Sequence, residues 1–300
     1  MIESFKTLEK QAKNEKSKRV AVANAEEADV LTAIVNAANQ NIVKPVLVGN
    51  EEGIKKLAEE EGLDISSYRI VDVERDEKEI SKKAVELVKK NEADLLMKGK
   101  VSTSYLMKAV LDKEKGLRGG GVLSHLTLME IKKYHKFLII TDAAVTISPD
   151  LKQKIGLINN AVYAAKKLGI EKPKVGVVGV VEKVNPEVMP TTEDAALLSK
   201  MNDRGQIKDC IVDGPFALDN AISEKSCRVK GIKTDVGGDA DILLLPNIEA
   251  ANIMYKTIAY LTDNDMAGVI MGAQVPIILT SRSDKDRIKY LSILTGVSMV

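Results

Sequence analysis

Short apolar runs alternate along this chain with stretches whose apolar residues recur every three or four positions. Residues 6–16 form a polar helical pattern, and 19–23 are a β-rich run. Residues 26–40 then carry Val30, Ile34, Ala37 and Ala38 at helical spacing, before a second strand at 42–48 that Gly49 ends. The alternation continues with a helix at 54–61, a strand at 69–73, a helix at 78–91 and a strand at 95–97. Farther on come a strand at 136–141, a long helix at 151–168 closed by Gly169, a strand at 174–181, a helix at 191–201 and a strand at 210–212. Runs at 267–271 and 275–280 complete the set. Strands that alternate with helical patterns predict parallel βαβ units, with right-handed crossovers.

One of these units stands out. Gly237 and Gly238 lead into the apolar run 242–245, Pro246 and Asn247 end it, and a helical pattern bearing Asn252, Tyr255 and Lys256 follows. A turn from a strand into a helix start is where α/β proteins hold anions. The first-turn amides lack partners there and the helix dipole is positive. Any α/β chain has several such units, so spacing alone does not establish a site.

Composition narrows the classes. Three hundred residues bury a sizeable core and often divide into two domains. A net charge of +1 gives no electrostatic footprint for nucleic acid or an anionic membrane, and 3% aromatics without Trp argues against base-stacking surfaces. Cys210 and Cys227 are too few for a disulfide framework, so a reduced setting is expected. The charged start MIESFKTLEKQAK has no apolar core of a signal peptide, and no apolar run reaches the roughly 20 residues that span a bilayer. A cytoplasmic location is the expectation.

Four further segments carry candidate chemistry. Lys98 and Lys100 flank Gly99, and Ser102, Thr103 and Ser104 follow as helix N-cap candidates. The reading is either an anion site or a capped helix with solvated lysines; a P-loop is excluded because Asp94 stands where its first Gly belongs. Arg118 precedes Gly119, Gly120 and Gly121, a loop able to approach a ligand closely, and Ser124 and His125 follow it. The GVVGVV run at 176–181 lacks the dinucleotide-binding spacing. Asp219 reads as a helix cap or as a hydrogen-bond partner to site residues. Finally, the last strand runs into Ser281-Arg282-Ser283-Asp284-Lys285-Asp286, where Ser283 is an N-cap candidate. Arg282 stands just beyond a strand's end, where open α/β sheets place ligands.

Three ordered motifs carry a family resemblance. They are Pro246, Asn247, Ala250, Asn252, Tyr255 and Lys256 after an apolar strand, the segment DGPFALDNAIS at 213–223, and SRSD at 281–284. Together they resemble the phosphate acyltransferases, the family of phosphate acetyltransferase and phosphate butyryltransferase, over about residues 95–300. Gly214, Pro215 and Leu218-Asp219-Asn220 resemble the butyryl branch more than the acetyl one. The chain departs from the acetyl branch twice. His125 stands where that branch has Arg after Ser, and Ile288 stands where it has an Asp six residues after the Arg.

The resemblance implies an α/β fold of three α/β/α layers in two domains, related to the isocitrate and isopropylmalate dehydrogenases. The first domain would hold residues 1–135 and 271–300 and the second 136–270, with the site in the cleft. It also implies a homodimer or higher homo-oligomer, no bound cofactor or metal, and acyl-CoA and inorganic phosphate as partners. The reaction moves a short acyl group, butyryl by the motif wording, between coenzyme A and phosphate. When a thiol attacks an acyl phosphate it must first lose its proton, and phosphate and oxyanion need fixed positive groups.

On that basis Arg282 binds phosphate and stabilises the transition state, with Ser281 as donor. Asp284, ahead of Asp286, is the thiol base, and His125 is a second base candidate or an oxyanion donor. Lys98, Lys100, Ser102, Thr103, Arg118, Ser124 and Lys256 supply anion contacts, and Asn252 orients. The rival readings are a phosphate acetyltransferase, a nicotinamide-dependent dehydrogenase of the same fold, and a binding protein that has lost its chemistry.

Overall fold

The computed structural model describes residues 2–281 and 283–300; Arg282 lies outside the described residues. The chain divides into two compact units, one of which is discontinuous.

The first unit holds Phe5–Gly121 and Ala267–Val300. Its N-terminal stretch contains α1 (Phe5–Asn14), β1 (Lys18–Ala23), α2 (Ala28–Asn39), β2 (Val43–Gly49) and α3 (Glu51–Glu60). β3 (Arg69–Asp72), α4 (Glu77–Lys89), β4 (Leu95–Lys98) and α5 (Thr103–Val110) follow. The second unit, Val122–Met266 with the residues up to Ser4, begins with β5 (Ser124–Glu130), β6 (Phe137–Thr141), α6 (Leu151–Lys167), β7 (Lys174–Val178) and α7 (Thr191–Asp203). It continues with β8 (Ile211–Phe216), α8 (Leu218–Ile222), α9 (Glu224–Lys230), β9 (Ile242–Leu244) and α10 (Ile248–Leu261). β10 (Asp265–Met271) returns the chain to the first unit, which β11 (Ile277–Ile278) and α11 (Asp286–Ser298) complete.

In the first unit the strands lie in the order β3-β2-β1-β4-β11-β10, all parallel except β10, which runs antiparallel to β11. β4 and all of β1 and β2 but Lys18, Arg19 and Lys44 are buried, the pattern of a parallel sheet covered on both faces. α1, α2 and α11 pack together as one group of helices, and α4 packs with α5 as another. α11 is buried along most of its length, including Lys289, Ser292 and Thr295.

The second unit orders its strands β5-β6-β9-β7-β8, parallel except for β5 against β6. That antiparallel pairing, from Leu126↔Thr141 to Glu130↔Phe137, draws β5 into this unit, so the first unit closes at Gly121, before the residue 135 expected from sequence. Two antiparallel partners in a mixed sheet also depart from an all-parallel βαβ expectation. Asp213-Gly214-Pro215, beyond the strand expected at 210–212, lies inside β8, where Gly214-Pro215 is a cis bond and the pairing with β7 shifts register. No helix among the described residues is long and apolar enough to cross a membrane.

Candidate active site

The carboxyl ends of parallel strands are where an open α/β sheet offers exposed loops and helix starts to a ligand. In the first unit the register places Ala23 beside Lys98 and Met97 beside Ile278, so β1, β4 and β11 finish at one edge. Lys98 closes β4 there. It is buried, at 5% exposure, and its Nζ donates to the Gly99 carbonyl at 3.3 Å. Gly99 is required by close approach, since a Cβ would stand 2.0 Å from the Asn24 carbonyl oxygen.

Asn24 braces this turn. It adopts a left-handed φ of 62°, accepts the Lys100 amide on its carbonyl at 2.8 Å, and donates its side-chain amide to the Lys100 carbonyl at 3.0 Å. Sequence reading passes over Asn24, although an Asn between a strand and a helix is a usual tenant of that conformation. Ser102 is the N-cap of α5, its Oγ accepting from the Ser104 amide at 3.3 Å, while its own amide donates to Glu77 Oε2 at 2.6 Å. Thr103 opens the helix and is exposed.

The segment after β11 reaches the same edge. Asp284 is buried at 2% exposure, and its Oδ2 accepts the Ser281 amide at 2.6 Å. The Asp284 carbonyl accepts from Lys289 Nζ, which is itself buried at 1% and pairs with Glu27 at 3.1 Å and Asp29 at 3.7 Å. Ser283 does not cap α11: the N-cap position is Lys285, and the Ser283 hydroxyl lies 3.0 Å from that of Ser281. Asp286 is exposed in the first turn of α11. Arg118 is exposed on another segment of this unit, its backbone bridged to Ala273 and its carbonyl accepting from Gln274. Gly119 serves that chain crossing, since a Cβ would stand 2.4 Å from the Gly272 carbonyl oxygen.

The second unit builds a drier cluster at the finishing edge of β6 and β9. Because β5 runs antiparallel to β6, its first residues, Ser124 and His125, lie beside the end of β6. Ser124 is fully buried and accepts from Asn160 Nδ2 at 2.8 Å. His125 is 5% exposed, with Nδ1 3.5 Å from the Thr127 hydroxyl and its ring edge-on to Tyr255 at 6.4 Å. Asn247, read from sequence only as ending the apolar run, caps α10 by accepting the Ala250 amide at 3.0 Å. Asn252 donates to the Ala143 carbonyl at 3.0 Å, and Lys256 sits 4.9 Å over the Tyr255 ring.

Asp142 shapes the loop between β6 and α6. Its carboxylate, 3% exposed, accepts the amides of Ala144 and Val145 at 2.9 Å and of Thr146 at 3.1 Å. A buried Asp directly after an apolar strand is the signal for such a turn, and the sequence reading noted only a strand end. Gly237 and Gly238 play no part at this edge. They precede β9, and a Cβ on Gly238 would meet Glu224 backbone at 2.5 Å. Asp219 is no cap either: α8 has Ala217 at that position, and Asp219 accepts from Ser226 and pairs with Lys230 at 3.4 Å.

Of the sequence-predicted residues, Lys98, Lys100, Ser102, Thr103, Ser281 and Asp284 thus share one finishing edge in the first unit. Ser124, His125, Asn252 and Lys256 share one in the second. A mixed α/β chain with cations, hydroxyls and a carboxylate at strand ends and helix starts has the equipment of an enzyme acting on anionic substrates.

The phosphate acetyl/butyryl transferase family model matches residues 4–82 and 78–295. The phosphate butyryltransferase of Clostridium acetobutylicum is 45% identical over 293 residues, covering 98% of this chain and 97% of that one. The phosphate acetyltransferase of Thermotoga maritima is 48% identical over 278 residues, covering 93% and 94%. Among solved structures, a branched-chain phosphotransacylase of Enterococcus faecalis V583 superposes with a TM-score of 0.83 at 29% identity, covering 94% of this chain and 98% of its own. The chain belongs to the phosphate acetyl/butyryl transferase family and is a phosphate acyltransferase.

Proposed function

We propose that the protein moves a short acyl group, butyryl in preference to acetyl, between coenzyme A and inorganic phosphate within a ternary complex. The observation that carries this reading is the family match along nearly the whole chain, supported by the motif from Pro246 to Lys256, which follows the end of β9. In the direction of acyl-CoA formation the CoA thiol gives its proton to a carboxylate. The thiolate attacks the acyl phosphate carbonyl, and the tetrahedral oxyanion collapses as phosphate leaves. No covalent acyl-enzyme is needed when both substrates are held in line.

The residues divide these tasks. Lys98 and Lys100 hold the anionic group, with Ser281 donating and Arg282 assigned there from its motif alone. The base is Asp286 in preference to Asp284. Asp284 is buried and uses one oxygen to hold the Ser281 amide, whereas Asp286 is exposed at a helix start beside that turn. His125 and Asn252 orient the acyl carbonyl, and Lys256 and Arg118 supply further anion contacts. The butyryl preference rests on Gly214, Pro215 and Leu218-Asp219-Asn220, because overall identity to butyryl and acetyl relatives is nearly equal.

The same reading carries the three-layer, two-domain organisation of the isocitrate and isopropylmalate dehydrogenases, with the compact units as domains. It also carries a homodimer, to be checked by sedimentation against a chain mass of 32.6 kDa. The test of the reaction is phosphate-dependent release of CoA thiol from acetyl-, butyryl- and longer acyl-CoA. Fastest turnover with butyryl-CoA is expected. Fastest turnover with acetyl-CoA overturns the branch, and no turnover with any thioester in folded protein overturns the reaction.

A further inference from the structure

Within the first unit, α4 and α5 pack side by side and leave an open groove of about 1190 Å³. Its lining carries seven lysines against four carboxylates. Three of the lysines pair with Glu79 and Glu86 on α4 itself. Lys78, Lys108 and Lys115 have no carboxylate within ion-pair distance among the described residues, so an excess of positive charge lines one concave surface. Such an excess is self-repelling and draws an anion.

The groove also has an aromatic wall. Tyr105 is 41% exposed, with Lys108 Nζ 5.9 Å from its ring centre, and the apolar Val85 and Ala109 also line the groove. A planar base stacks on such a ring while phosphates reach the lysines. We infer that this groove binds a nucleotide bearing two or more phosphates, its base on Tyr105 and its phosphates among Lys78, Lys108 and Lys115. The groove is tied to the candidate site, because Glu77 at the start of α4 accepts the amide of Ser102, the N-cap of α5. Lys108 lies six residues along α5 from Ser102, about 9 Å of helix rise. An extended pantetheine arm covers such a distance.

Two sources share this chemistry: the 3′-phosphorylated ADP end of coenzyme A, which rests on the transacylase reading, and a free nucleotide acting on the neighbouring site. Titration calorimetry with adenosine 3′,5′-bisphosphate tests the groove without turnover. The parent protein is expected to bind, more weakly as salt rises, and the exposed double variant Lys108→Glu with Lys115→Glu is expected to lose at least tenfold in affinity. Absence of binding to the parent, or equal binding by parent and variant, overturns the groove. Kinetics separate the sources. A KM for acyl-CoA raised about tenfold with that for acyl-pantetheine unchanged assigns the groove to the substrate, since remote binding then positions the reacting end. An unchanged KM for both, with nucleotide affinity lost, assigns it to a free nucleotide. Nucleotide binding without any transacylation overturns the reaction and leaves the groove standing.

Discussion

The two ends of the parallel strands use charge in opposite ways. At the starting edge of the second unit, Asp239 accepts from Lys174 at 2.7 Å and His135 at 2.8 Å and pairs with Lys136 at 2.9 Å. Asp241 beside it pairs with Lys136 at 2.7 Å and takes the Lys174 amide. At the starting edge of the first unit, Asp94 takes both the amide and the guanidinium of Arg19. There, charges answer charges. At the finishing edges Asp142 and Asp284 answer backbone amides, Lys98 answers a carbonyl, and Lys100 and Asp286 face solvent. Starting edges hold strands in register, whereas finishing edges shape loops that present groups to a ligand.

Lys289 tests this contrast most severely, since it is a buried cation beneath a finishing edge. Replacing it with Met leaves the Asp284 carbonyl without that donor and Glu27 without its partner. A loss of about 3 kcal/mol is expected in urea unfolding, the usual result of breaking a buried pair. Unchanged stability would mean that the turn holds itself.

Next in size is the pair of aspartates at positions 284 and 286. Asp286→Asn is expected to lower kcat at least 100-fold, roughly 2.7 kcal/mol, and to leave the unfolding midpoint within error, since the side chain is exposed. Asp284→Asn is expected to destabilise by about 1–3 kcal/mol through its turn, keeping the acidic limb of the pH–rate profile that a carboxylate base produces. The reverse pattern returns the base to Asp284.

Much of this arrangement is legible in the sequence, for identifiable reasons. β1, β2 and β4 announce themselves as short, mainly apolar runs, and Pro246-Asn247 as the end of the β9 run. β5 is not expected as a strand, because Ser124, His125 and Thr127 break up its apolar pattern although all three are buried. The role of Asp284 is hidden for a different reason. That its carboxylate is buried and accepts the Ser281 amide follows from the fold and not from its neighbours in sequence. Asn24 and Asp142 escape notice because their partners are backbone groups, which no motif records.

At the starting edge the signature is pH-dependent stability with intact kinetics. Burial pushes the Asp239 carboxyl up, but donors from Lys174, Lys136 and His135 outweigh it and hold the group well below the usual carboxylate range. A depressed folded-state value contributes stability that is complete above the unfolded value of about 4 and is lost as pH falls through the folded one. Asp239→Asn is therefore expected to cost about 2 kcal/mol at pH 7, allowing for partial exposure, with the gap to parent closing as the medium is acidified below about pH 4. A gap that stays constant down to pH 3 would remove the ionic account.

The smallest effect belongs to Arg19 and Asp94, which pair at 2.6 Å but remain 41% and 30% exposed. Solvent screening limits such a pair, so a double-mutant cycle with Arg19→Met and Asp94→Asn is expected to give a coupling of about 1 kcal/mol, weaker in high salt. Transacylation rates should match those of the parent in all three variants, because both residues stand at the edge where β1 and β4 begin. A fall in kcat/KM without a fall in stability would break the division between the two ends. Strand starts would then take part in positioning the loops at strand finishes, and register itself would be the link, since β1 and β4 are paired from Val20↔Leu95 to Ala23↔Lys98.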